Sequence, residues 1–150
     1  MPTMKDTPQR SVTHVPTAPR RGALRGPALV GLAAAAVVGV IAAVDPNQSG
    51  HYPTCPFLAL TGYYCPGCGS LRAIHDLAHG NLDGALSRNP FTVIALVGLA
   101  VGWVVWARRL WRGQPRTWAA PPALLYGLLT LVLAFWALRN FPGWTWLSPA

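Results

Sequence analysis

Two cysteines three positions apart are the most chemically reactive feature of the sequence. They lie in the stretch TGYYCPGCGSLRAIH, residues 61–75, where a proline and a glycine separate Cys65 from Cys68. The order Cys-Pro-x-Cys-Gly matches the knuckles of zinc ribbons and rubredoxin-like sites, in which glycines let the backbone fold back around the sulfurs. Such a turn holds a metal, exchanges electrons or staples a loop, and the sequence leaves all three interpretations open.

A metal site is the first interpretation. The knuckle supplies two ligands, whereas a closed zinc site needs four. The third cysteine of the chain, Cys55, is the candidate third ligand, and His75 or His51 is the candidate fourth. The predicted site therefore consists of Cys55, Cys65, Cys68 and His75, with zinc as the predicted cofactor.

Thiol–disulfide exchange and a structural disulfide are the two alternatives. A CxxC pair at the start of a helix favours the thiolate, so Cys65 and Cys68 are candidate redox residues with Cys55 as a resolving thiol. No thioredoxin-like βαβ pattern surrounds the motif. In the structural alternative, Cys55 forms a disulfide with Cys65 or Cys68, and the odd cysteine count leaves one free thiol.

The composition places these cysteines in a membrane protein. Hydrophobic residues make up 52% of the chain and charged residues only 11%, against about 25% in soluble domains. The formal charge is +8, but nine of the twelve basic residues lie in two segments, 1–26 and 108–121, separated by long apolar runs. This placement is typical of loops that flank membrane spans and disfavours nucleic acid as a partner.

Three charge-free runs have the length of membrane helices. They cover residues 27–44, 90–107 and 122–138, each close to the roughly 17–25 residues that cross a bilayer. Asn89-Pro90 places a capping residue before a proline at the first helical position of the second run, and Pro121-Pro122 begins the third in a similar way. The sequence therefore predicts an all-α membrane protein with three transmembrane helices.

The positive charges predict the orientation of these helices. Residues 1–26, a tail predicted to be disordered, and the loop 108–121 are both basic and are expected in the cytoplasm. The loop 45–89 and the tail 139–150 are then expected on the extracytoplasmic side, with the protein in the inner or plasma membrane. A cleaved signal peptide is disfavoured because the first run exceeds a usual signal core and lacks a clean small-x-small site before Asp45.

The outer loop is predicted to contain one short amphipathic helix, SLRAIHDLAHG. Ser70 is the expected N-cap, and Gly80 is expected to end the helix in the left-handed conformation. Arg72 lies in the first turn, where it can pair with a thiolate, with a lipid phosphate or with Asp76 one turn later. The following stretch, NLDGALSR, is predicted to be a second short turn.

Small residues recur on two of the predicted spans. Such stripes let helices approach closely in lipid, so a membrane-protein partner or a second copy of the chain is a candidate partner besides the bilayer itself. The residues are Gly31, Ala35, Gly39 and Ala43 in the first span and Gly98 and Gly102 in the second.

The motifs in the middle of the chain resemble those of the bacterial domain-of-unknown-function family 2752. The matching residues are Cys55-Pro56, Thr61-Gly62, Cys65-Pro66-Gly67-Cys68-Gly69, Arg72-Ala73, Gly80, Ala85 and Asn89-Pro90. The resemblance covers about residues 52–107 and implies a membrane location and a shared loop. It implies no activity, and neither His75 nor His79 is a position that it carries over. With the metal interpretation of the loop, the expected function is an accessory or interaction protein, and the alternatives are a membrane thiol oxidoreductase and a structural scaffold.

Overall fold

The chain is entirely helical in the parts that the structure describes. This computed structural model describes residues 22–48, 50–114 and 119–143. Its helices are α1 (Arg25–Ala43), α2 (Pro56–Thr61), α3 (Ser70–Ala78), α4 (Leu82–Arg88), α5 (Pro90–Trp111) and α6 (Pro122–Arg139).

Three of these helices, α1, α5 and α6, are long and apolar enough to cross a membrane. Their mean hydropathies are 2.2, 2.0 and 1.6, and their surfaces are mostly exposed, as expected for lipid-facing helices. The three predicted spans are confirmed as helices. The second extends beyond its predicted end at 107, because Arg108 and Arg109 continue α5 and stabilise the negative end of its dipole. The predicted tail 1–26 lies mostly outside the described residues.

The first two long helices pack against each other around a tryptophan. The indole Nε1 of Trp103 donates a hydrogen bond to the backbone oxygen of Pro27, with 3.0 Å between nitrogen and oxygen. A Cβ atom on Gly31 would lie 3.0 Å from the Trp103 ring, so this glycine is what allows the close approach. The start of α1 therefore lies beside the second half of α5, and the two helices run antiparallel.

At the opposite end of the pair, the loop folds into a small helical cap. Its interior consists of Ala73 of α3, Ala85 of α4 and Val93 of α5, with Leu77 packed against them. Ala73 and Ala85 are fully buried, and side chains this small let the three helices pack closely. The cap therefore rests directly on the first turn of α5.

Two local predictions in this cap are wrong. Residues 82–88 form the helix α4 rather than a turn, and the amide oxygen of Asn81 caps it by accepting from Gly84 N at 2.9 Å. The N-cap of α3 is Gly69, with φ of 80°, rather than Ser70. Only glycine adopts this left-handed backbone easily. Ser70 is instead helical, and its hydroxyl lies 2.7 Å from that of Thr92. The predicted left-handed Gly80 is confirmed, with φ of 76°.

The third long helix is attached to the cap by its C-terminal end. The rings of Phe135 and Phe91 stack with centroids 5.3 Å apart, and Trp136 meets Phe57 of α2 edge-on at 6.4 Å. Beyond the helix, Asn140 accepts a hydrogen bond from Tyr64 N and donates one to Tyr64 O, at 2.8 and 2.9 Å. The last turn of α6 thus reaches the residue that precedes the first cysteine of the CxxC motif.

Candidate metal centre

The CPGCG segment folds into a tight turn in which a backbone amide points at a cysteine sulfur. Cys68 N donates to Cys65 O at 3.1 Å, which closes the turn. Cys65 N also points at Cys68 Sγ, at 3.3 Å. Glycine at position 69 then reverses the backbone into α3. An amide directed at a sulfur partly stabilises a thiolate, although burial has the larger effect at Cys68.

Cys55 completes a group of three thiols. It lies ten residues before Cys65 in sequence, just ahead of α2, and its sulfur is 3.5 Å from that of Cys65. The sulfurs of Cys65 and Cys68 are 3.2 Å apart. All three sulfurs lie within 4.8 Å of one another, and the cysteines are free thiols. The structure thus brings together the three predicted cysteines from two separate segments of the loop.

The sulfur separations suit a tetrahedral metal. A zinc–sulfur bond of about 2.3 Å and tetrahedral angles place neighbouring sulfurs about 3.8 Å apart. The observed 3.2 and 3.5 Å would need to widen by about 0.6 and 0.3 Å to reach this separation. Three soft thiolates are also the ligand type that selects zinc or another thiophilic metal over magnesium or calcium.

The three thiols differ in how easily they ionise. The backbone amide of Leu58 lowers the pKa of Cys55, because its partial positive charge stabilises the thiolate. The Cys55 side chain does not form an N-cap hydrogen bond with α2. Burial raises the pKa of Cys68 to about 12, because the enclosed thiolate loses its hydration. A bound metal would have to displace the Cys68 proton.

These differences predict the order in which the metal-free thiols react. Cys55 is half-buried with a lowered pKa, whereas Cys68 is 7% exposed with a raised one. Since the thiolate is the reactive form, iodoacetamide at pH 8 should modify Cys55 first and Cys68 last, with rates differing at least about tenfold. Peptide mass spectrometry over time measures the order. Modification of Cys68 before Cys55 would contradict the assigned environments.

Asn89 is the polar centre that joins the knuckle to the second span. It is fully buried, and its amide nitrogen donates to Pro66 O at 2.9 Å and to Cys68 O at 3.1 Å. Its amide oxygen accepts from Thr92 N at 3.1 Å, which confirms the predicted cap of α5. The sequence indicated the cap but not the two bonds to the knuckle. One side chain therefore fixes both the helix start and the cysteine turn.

Arg139, the last residue of α6, lies beside the knuckle and is only 1% exposed. Its guanidinium donates to Pro66 O at 3.4 Å and to Arg88 O at 3.3 Å. It also lies over the rings of Tyr64 and Phe135, at 5.8 and 5.5 Å from their centroids. The charge pattern of the sequence places this arginine in an outer tail, and no local pattern signals its burial.

The histidine predicted as a fourth ligand lies elsewhere. The Nδ1 atom of His75 is 2.9 Å from Ile41 O, one of the carbonyls left without a helical partner at the end of α1. Its Nε2 atom faces Asp45 at 3.8 Å, and its ring lies 4.3 Å from that of His79. The alternative ligand, His51, contacts Asp45 O through Nδ1 at 2.9 Å. The structure thus uses His75 to hold α1 against α3 and does not place it in the group of three thiols.

Arg72 lies on α3, as predicted. The carboxylate that was its candidate partner, Asp76, lies 3.9 Å from the Nε atom of Arg88 at the end of α4. This pair ties α3 to α4.

Comparison with known proteins yields one family. A family model described as "Protein of unknown function (DUF2752)" matches residues 55–103, and the resemblance seen in the sequence is thereby confirmed for this segment. The matched segment contains all three cysteines, the helical cap and the first part of α5. No curated protein and no solved structure matches the chain. Arg139 and Asn140 lie outside the matched segment.

Proposed function

We propose that this multi-pass membrane protein, whose residues 55–103 match DUF2752, binds one thiophilic metal ion, such as zinc, through Cys55, Cys65 and Cys68. The observation that carries the proposal is the convergence of three sulfurs from two segments within 4.8 Å. A two-cysteine redox centre has no need for the third sulfur. Zinc bound by three protein ligands keeps a fourth position for water or another ligand.

The proposed role of the metal is to hold the helical cap together. Cys55 enters from the segment before α2, whereas Cys65 and Cys68 lead into α3. A metal that joins them closes a loop of the chain from Cys55 to Cys65 that contains α2. Among the described residues, the apolar interior of the cap is small and consists of Ala73, Ala85 and Val93, with Leu77 beside it. Metal ligation would contribute folding free energy that such a small interior cannot supply.

Cadmium titration of the purified protein in detergent micelles tests this proposal. Cadmium–thiolate bonds give a charge-transfer absorption in the ultraviolet, and we expect this absorption to saturate at one ion per chain. Binding should release about three protons, one for each thiol that ionises. The triple variant in which Cys55, Cys65 and Cys68 become serine should show no such absorption, and Ser87→Ala serves as an exposed control. Absence of stoichiometric binding by the wild-type protein would contradict the proposal.

Thiol–disulfide exchange at Cys65 and Cys68 is the second candidate, supported by their sulfur separation of 3.2 Å. In that reaction the two thiols lose two protons and two electrons to a partner disulfide, which becomes two thiols. The high pKa of Cys68, raised to about 12, is unfavourable, because redox cysteines usually include a thiol with a lowered pKa. The single variant Cys55→Ser separates the candidates: it should weaken cadmium binding if three sulfurs hold the metal, whereas exchange at Cys65 and Cys68 should continue without Cys55.

We also propose that the cap lies outside the cytoplasm, with the N-terminus inside. The start of α1 and the end of α5 lie at one end of the helix pair, and that end carries Arg25, Arg108, Arg109 and Arg112. Positively charged loops remain in the cytoplasm. A phosphatase reporter that folds only outside the cytoplasm should therefore be active when fused after Asn81. An inactive phosphatase, together with fluorescence of a cytoplasmic reporter fused at the same site, would show that the orientation is the opposite one.

An accessory or interaction role completes the proposal. Three glycines predicted to lie on helix-packing faces, Gly39, Gly98 and Gly102, are open on the outside of their helices. A Cβ atom added to any of them would meet no described atom within 4 Å beyond its own stretch of helix. Small residues of this kind allow close approach of a second helix in lipid. We propose that a membrane-protein partner or a second copy of the chain packs against these glycines, and crosslinking in membranes distinguishes the two.

A further inference from the structure

We propose that Arg139 supplies the positive charge that balances the metal–thiolate group, so that α6 is part of the metal centre. This inference rests on the proposed metal site and identifies the residue that neutralises its net negative charge. The residue lies in the last turn of the third span, outside the segment that matches the family model.

Among the described residues, Arg139 has no carboxylate partner. A buried guanidinium is unfavourable unless an anion or a full set of hydrogen bonds compensates it. Within the described parts of the chain, Asp45 lies near His75 and Asp76 near Arg88, and no carboxylate lies within 4 Å of Arg139. The arginine is nevertheless 1% exposed. Some other group must carry the compensating negative charge.

The neutral partners of Arg139 do not satisfy its side chain. Its two hydrogen bonds to Pro66 O and Arg88 O are long, at 3.4 and 3.3 Å. Its Nε–H group is buried and has no hydrogen-bond partner among the described residues. The rings of Tyr64 and Phe135 contribute cation–π attraction, which is smaller than the cost of burying a charge.

The cysteine knuckle is the group that Arg139 faces, and it becomes an anion when its thiols ionise on binding a metal. Pro66 lies between the two knuckle cysteines, and Arg139 interacts electrostatically with both Cys65 and Cys68. Three thiolates around a divalent metal leave one net negative charge, which a single guanidinium neutralises. The buried arginine and the group of three sulfurs therefore compensate each other, and neither is well accommodated alone.

Metal affinity in variants of Arg139, measured in micelles with cadmium alone as the probe, tests this inference. Arg139→Gln retains hydrogen-bond donors but loses the charge, and we expect affinity to fall about 10–100-fold, as for other residues around metal ligands. Arg139→Lys keeps the charge and should bind within about threefold of wild type. Arg108→Met, at the exposed end of α5, is the matched control and should bind like wild type.

The same substitutions made in the triple-serine variant distinguish charge balance from a purely structural role of Arg139. With all three cysteines replaced by serine, no thiolate compensates the guanidinium, so Arg139→Gln should fold there and should not lower the melting temperature. If Arg139→Gln binds cadmium like wild type, or if it fails to fold in both backgrounds, the inference is overturned while the metal site stands. If the wild-type protein binds no cadmium, the proposed function itself fails.

Discussion

Replacing Asn89 by alanine should lower the free energy of unfolding by about 2–4 kcal/mol. The change removes the cap of α5, worth about 1 kcal/mol. It also leaves Cys68 O without the donor that now lies 3.1 Å away, and a buried unsatisfied carbonyl costs about 1–3 kcal/mol more. Pro66 O keeps a donor in Arg139. The total is large because one side chain serves a helix start and the cysteine turn together.

Denaturant-induced unfolding of the metal-free protein in mixed micelles measures this loss. Asn89→Ser should recover roughly 1 kcal/mol of it, because serine still caps a helix but does not reach the knuckle carbonyls. Asn47→Ala is the matched control, since Asn47 is exposed and its side chain bonds to neighbouring Asp45. Its expected change is below about 0.5 kcal/mol. Equal stability of Asn89→Ala and wild type would contradict the role assigned to Asn89.

Replacing Cys68 by serine should weaken metal binding about a hundredfold. Structural zinc sites bind with roughly 10–16 kcal/mol, so each ligand contributes about 3 kcal/mol, and a factor of ten corresponds to about 1.4 kcal/mol. Serine has nearly the same shape as cysteine, and the backbone of residue 68 keeps its bond to Asn89. The hydroxyl remains protonated at neutral pH and is a poor ligand for a thiophilic metal.

Competition with a coloured zinc chelator measures this affinity. We expect it to rise with pH between about 6 and 8, because the raised pKa of Cys68, about 12, keeps its thiol protonated until the metal displaces the proton. The pH dependence should become weaker in Cys68→Ser, since one fewer proton is released. An affinity that is independent of pH, or unchanged in the variant, would exclude Cys68 as a ligand.

The long helices could be predicted from the sequence because they depend on local properties. Length, apolar composition and the Asn89-Pro90 start are enough to define α5, and similar signals define α1 and α6. The amphipathic α3 could be predicted in the same way. By contrast, α2 and α4 have six and seven residues, too few for a periodic pattern, and they form because tertiary contacts hold them.

The cysteines of the candidate metal site could be predicted from the sequence, but the residues around them could not. The spacing of Cys65 and Cys68 fixes their turn, and Cys55 was the only further thiol available. The fourth ligand was assigned by residue type alone, whereas the structure directs His75 to an unpaired carbonyl at the end of α1. Arg139 lies 71 positions after Cys68 and carries no motif, so only the folded chain reveals that its charge is buried beside the sulfurs.

The metal content of the protein purified from cell membranes without added metal tests the central claim most directly. Elemental mass spectrometry of the wild-type protein should find about one thiophilic metal ion per chain, zinc being expected first. The Cys65→Ser variant, prepared in parallel with similar helical content, should contain much less. A wild-type protein without metal, with all three thiols free or two of them joined in a disulfide, would contradict the account.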